Sequence, residues 1–235
     1  MSNKKGNFIS QYFDYLRAKG HVTKRVLMSA IGVVVCGISV GFFKRAAYGV
    51  DPYQSLMSGL DSALPISYGT LYVLATLALL FFALFADRHY IGLATIINLL
   101  FLGYIAQFTH EFLLKTFPGL SAAGRFGFLI IGIVVMCLAS SFYFVADLGV
   151  STYDAVSLII SETWHLMKFR TCRILTDLVC VALGSALYLL SGNPLKSLPT
   201  IVGIGTIITA FFMGPLIAFF NVHIAEPFLY GNKQK

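Results

Sequence analysis

The feature that most constrains this chain is a series of six long apolar runs, at 26–43, 66–86, 90–108, 126–146, 172–191 and 199–220. Each approaches the length of about 20 residues that a helix needs to cross a bilayer. Short polar clusters separate them, among them Asp87-Arg88-His89, the stretch 109–125, and Gly192-Asn193-Pro194. Only 11% of the residues are charged, against about a quarter in soluble domains. The net charge of +7 would suit a nucleic-acid partner in a soluble protein. Here the basic residues fall between apolar runs, so membrane topology accounts for them and no nucleic acid is expected. The first 25 residues are polar and lack the pattern of a cleaved leader. They read as an amphipathic cytoplasmic segment carrying Phe8, Tyr12, Phe13 and Leu16. Cys36, Cys137, Cys172 and Cys180 lie in or beside the apolar runs without the spacing of a zinc site, and read as packing residues.

Lysine and arginine set the orientation, because cytoplasmic loops carry more of them. With the N-terminus inside, twelve of the seventeen fall on the inner side and five, Lys44, Arg45, Lys115, Arg125 and Lys196, on the outer. Both termini are therefore expected in the cytoplasm.

The chain also repeats itself. Residues 31–53 and 131–153 match at nine of 23 positions without a gap: Ile31, Gly32, Val34, Val35, Phe42, Ala46, Gly49, Val50 and Tyr53. Residues 91–108 and 202–219 match at seven, including Gly92, Thr95 and Gly103 with Gly203, Thr206 and Gly214. Each half thus holds three spans, and an odd number of crossings reverses direction. The expected fold is an all-α integral membrane protein of six transmembrane helices, arranged as two inverted-topology three-helix repeats. Its parts are an N-terminal segment (1–25), a first repeat (26–108), an extracellular linker (109–125), a second repeat (126–220) and a cytoplasmic tail (221–235).

Each half carries a helix too short to cross. The first begins at Asp51, suited to an N-cap, with Pro52 at the first helical position and Gln54 completing a capping box. The second begins at Ser151 with Asp154 in the box position. Tyr53, Leu56, Met57 and Leu60 form an apolar stripe in one, Tyr153, Val156 and Ile160 in the other. Such a helix either lies flat at the membrane surface or re-enters the bilayer with its positive N-terminus toward an anionic group. The clean stripe favours the surface position.

Ionisable groups inside spans are costly and face the bundle interior or water. Asp177 leads the candidates, with Arg173 four residues earlier on the same helical face. They form either a substrate-contacting charged pair or an interior salt bridge. Lys44, Arg45 and Asp51 cluster at the outer end of the first span. Arg45 could pair with Asp51 or bind an anion, though snorkelling to the headgroups is the simpler reading of both cations. Asn98, Gln107, Thr95 and Thr206 suit hydrogen bonds between helices. No motif of a hydrolase, a zinc enzyme or a phosphate-binding loop is present, so no enzymatic activity and no cofactor or metal is expected.

The turns "GVDPY" and "LGVSTYDAVS", the Arg173 to Leu178 region, and "GIGTIITAFFMGPLIAFF" resemble the YczE/YitT group of bacterial multi-pass membrane proteins over residues 26–221. The resemblance implies a bacterial inner membrane and no particular substrate. The first half departs from the second, with Thr76 near the position of Asp177. The inverted repeat and the polar candidates point to a transporter of a small anionic or zwitterionic solute working by alternating access. Its site would comprise Arg173, Asp177, Tyr153, Asp154, Tyr53, Asp51 and Arg45. A substrate-binding subunit of an energy-coupled importer and a non-transporting scaffold or regulator are the rivals. The expected partners are the lipid bilayer and the solute, with room for a homo-oligomer or accessory subunits.

Overall fold

A computed structural model describes residues 20–231. Most of the amphipathic head lies outside the described residues. The described chain is helical, without strands: α1 (Val22–Ala46), α2 (Pro52–Ala63), α3 (Tyr68–Ala86), α4 (Leu93–Thr116), α5 (Ala122–Ala146), α6 (Thr152–Leu158), α7 (Phe169–Leu190), α8 (Ile204–Phe220) and α9 (Glu226–Tyr230). A π-helical turn extends α6 over Ile159–Thr163, and another joins α8 to α9 over Asn221–Ala225. Six helices are long and apolar enough to cross a membrane: α1, α3, α4, α5, α7 and the segment ending in α9. Their outward faces carry large apolar side chains, with Phe85 90% and Leu190 84% exposed. A soluble monomer rarely tolerates such a surface, so the chain has the features of a multi-pass membrane protein.

The helix ends depart from the sequence reading. α4 runs to Thr116, and α5 starts at Ala122, so the expected linker at 109–125 shrinks to 117–121. Polarity alone does not end a helix. Nothing between Thr109 and Thr116 breaks the backbone pattern, and the stop comes at Pro118 and Gly119. Gln107 donates to Glu111 one turn on at 2.9 Å, which supports the polar extension. The tail expected from 221 is likewise helical as far as Tyr230.

α1 and α5 form the central pair and run antiparallel. Arg25 near the start of α1 donates to the Val145 and Ala146 carbonyls at the end of α5. Arg125 near the start of α5 donates to the Ala46 and Ala47 carbonyls at the end of α1, at 2.8 and 2.6 Å. Each guanidinium thereby satisfies carbonyls that a helix end leaves open. α4 runs alongside α1, with Gly37 against Leu102 and Ile105 and Gly41 against Thr109. α8 runs alongside α5, with Gly205 against Leu129 and the Cys137 thiol 4.0 Å from the Met213 carbonyl.

The turns after α1 and α5 lock onto the starts of α8 and α4. Val50 donates to the Ile201 carbonyl at 3.2 Å and Gly205 to that of Tyr48 at 2.7 Å. On the other side Val150 donates to Tyr90 at 3.1 Å and Ala94 to Leu148 at 3.0 Å. Gly49 and Gly149 take φ of +95° and +105°, and a Cβ on either would stand 2.5 Å from the amide nitrogen of Gly203 or Gly92. Glycine is required at both for conformation and for space.

The short helices do not lie flat. Burial changes along their axes: Pro52 to Ser55 are buried while Ser62 and Ala63 are exposed, and Thr152 and Tyr153 are buried while Glu162 and Thr163 are exposed. A surface helix would keep one face out along its whole length. These two begin inside the bundle and end at its surface. Outside the spans, Asp87 accepts from the His89 amide and the Thr163 hydroxyl, which hold its carboxyl below the usual range and tie the end of α6 to that of α3.

Candidate functional site

The first turns of α2 and α6 meet inside the bundle. Tyr53 and Tyr153 stack with ring centroids 4.8 Å apart. Beside them is a cavity of about 350 Å³. Val33, Cys36 and Val40 of α1, Met136, Ser140 and Tyr143 of α5, and Thr209 and Met213 of α8 line one part of it. The polar part comes from Asp51, Gln54, Asn98, Ser151, Asp154, Arg173 and Asp177.

Local chemistry explains why both helices start here. The Asp51 carboxylate accepts the Gln54 amide at 3.2 Å, and the Ser151 hydroxyl accepts the Asp154 amide at 3.1 Å. Each therefore satisfies a donor that the helix start leaves open. Burial raises the Asp51 carboxyl above the usual carboxylate range, and the Gln54 amide offsets only part of that.

On the side of α7 the network is ionic. Arg173 donates to Asp154, and its Nε lies 3.5 Å from Oδ1 of Asp177. Its guanidinium sits 4.5 Å over the Tyr153 ring, a cation–π contact. The Tyr153 hydroxyl donates to Asp177 at 2.5 Å, and the Ser151 hydroxyl to Asp154 at 2.7 Å. On the side of α3 the network is neutral. The Tyr53 hydroxyl and Thr76 are 3.3 Å apart, the Tyr68 hydroxyl donates to the side-chain oxygen of Gln54, and Tyr72 donates to Asn98 at 3.1 Å.

Six of the seven residues singled out from the sequence line this one cavity: Asp51, Tyr53, Tyr153, Asp154, Arg173 and Asp177. Arg45 does not. It donates to the Phe117 carbonyl beyond α4 and reaches neither Asp51 nor the cavity, because the last turn of α1 faces the end of α4. Lys44 is not snorkelling either. Its Nζ lies 3.8 Å from Asp61 and 3.3 Å from the Tyr68 ring centroid. The capping box at Asp51 forms only by half, since the Gln54 side chain is engaged by Tyr68. Of the cavity residues, Tyr72, Ser140 and Tyr143 escaped the sequence reading, because a tyrosine or serine inside an apolar run carries little signal. Tyr143 had one clue: a shift of 100 residues pairs it with Phe43, so the second copy holds a hydroxyl where the first has none. Among the described residues no cluster of His, Cys, Asp and Glu is arranged to hold a metal ion.

The family described as "Family of unknown function (DUF6198)" matches residues 23–222, and the chain belongs to it. No curated protein matches, and no solved structure matches.

Proposed function

We propose that this DUF6198 member transports a small polar solute across a membrane, by alternating access between two halves of opposite orientation. The observation that carries the reading is the shared cavity: its polar wall combines the starts of two short helices, one from each half of the repeat, with Asn98 of α4 and Arg173 and Asp177 of α7. Broken or half-length helices that begin inside the bundle at the junction of repeats are the usual place for a transporter's solute site. The antiparallel packing of α1 on α5, whose sequences repeat, supports opposed orientations for the halves. A charged group such as Asp177 is costly inside apolar surroundings unless it faces a polar cavity, as it does here. The resemblance to the YczE/YitT group and the bias of basic residues add a bacterial inner membrane and cytoplasmic termini to the proposal. A structural scaffold has no need of a cavity with three carboxyls and a guanidinium on its wall.

The test is solute-induced current in proteoliposomes on a solid-supported membrane, with a panel of amines, amino acids, carboxylates and sugars. Wild-type protein should respond to at least one solute, and Asp177→Asn should reduce that response tenfold or more. A mutant that carries the solute as well as wild type would remove Asp177 from the mechanism. Silence across the panel with folded wild-type protein would contradict the transport reading.

A further inference from the structure

We infer that the cavity is built to bind a small organic cation, an amine carried as its ammonium form. This deepens the proposed function and rests on the same site. The first ground is the charge on the cavity wall. Its acidic and basic side chains are Asp51, Asp154, Asp177 and Arg173, three carboxyls against one guanidinium. That guanidinium is already engaged by Asp154, Asp177 and the face of Tyr153. An anionic solute would find no free cation and would meet three carboxyl groups. At the positive helix starts Asp51 and Ser151 already take one backbone donor each, which leaves fewer for an anion.

A cation would find the opposite. Among the described residues no basic side chain pairs with Asp51. Tyr72, Phe144 and Phe169 also line the cavity, and aromatic faces attract ammonium groups through their quadrupoles. The second, independent observation is Tyr143. It is only 5% exposed, it lines the cavity, and its buried hydroxyl has no hydrogen-bond partner. Buried hydroxyls are seldom left unsatisfied, and such exceptions call for an explanation. An occupant with a hydrogen-bonding group supplies one. The anionic or zwitterionic solute expected from the mixed charges of the sequence thus becomes the competing outcome, because Arg173 is already engaged by Asp154 and Asp177.

The experiment uses full-length protein in nanodiscs at constant ionic strength, with n-butylammonium, tetramethylammonium and butyrate as probes. Thermal melting and calorimetric titration should show binding of at least one ammonium probe and none of butyrate. Asp51→Asn should weaken ammonium binding at least tenfold while the empty protein melts as before, since Asn caps a helix as well as Asp. Tyr143→Phe should leave the melting of the empty protein unchanged and weaken n-butylammonium, which can hydrogen-bond, more than tetramethylammonium, which cannot. Butyrate binding in preference to butylammonium, no binding of either ammonium probe, or ammonium binding indifferent to Asp51→Asn would each overturn the inference. The two readings fail separately. Ammonium binding without current in proteoliposomes would remove transport and leave the cation site, whereas binding and transport of a carboxylate would do the reverse.

Discussion

The two halves share a backbone frame and differ in what hangs from it. In both, the turn after the first long helix has an αL residue at its start, Ala47 or Asp147, each with φ 52°. In both, a glycine with positive φ follows, and a valine amide reaches across to the other half. The arginine near the start of each central helix closes the end of the other. Around the tyrosine of each short helix, however, the chemistry parts. Tyr53 meets Thr76 where Tyr153 meets Asp177, and Gln54 meets Tyr68 where Asp154 meets Arg173. Symmetric features are those the fold needs twice. The asymmetric ones are needed once, and they gather at the cavity.

The comparison is broken most easily at the glycines. Gly49→Ala and Gly149→Ala should each cost about 4 kcal/mol or abolish folded protein, through backbone strain and overpacking together. Size-exclusion profiles and melting in detergent check this. Tolerance of either substitution would show that the frame is not shared. A smaller effect sharpens the contrast between networks. Arg173→Gln leaves Asp154 and Asp177 facing one another and should cost about 3 kcal/mol, the cavity side of the network being partly open. Tyr72 stands four residues before Thr76 as Arg173 stands before Asp177, and Tyr72→Phe should cost only about 1 kcal/mol, one neutral hydrogen bond. Equal costs would mean that the ionic half is not special. The smallest effects lie at the caps: Ser151→Ala should lower stability by about 1 kcal/mol and Asp51→Asn by less than about 0.5 kcal/mol, measured the same way.

Much of this was readable in the residues, and the reason is physical. Long apolar runs leave no alternative to helices, and an ungapped repeat brings its turns with it, so Asp51, Tyr53, Tyr153 and Asp154 could be found from Gly49-Val50 and Gly149-Val150 alone. Asp177 stood out because charge within an apolar run is expensive. Side-chain direction was not readable. Arg45 sits six residues before Asp51 in the chain yet points to Phe117, and nothing local decides that. Arg25 and Arg125, 100 residues apart and both mutual clamps, were legible as repeat positions. Charge topology alone accounts for both as flanking cations, so their clamping role has no separate sequence signal. The stripes of the short helices do not fix their position: an apolar stripe says that one face is buried, and not whether lipid or protein buries it.

The opposed orientation of the halves is tested most directly by labelling Ser62→Cys and Glu162→Cys, equivalent exposed positions in the last turn of each short helical segment. The four native cysteines are buried, so background is low. With a membrane-impermeant maleimide on intact cells, one site should label at once and the other only after permeabilisation. Labelling of both sites from the same side would contradict the account.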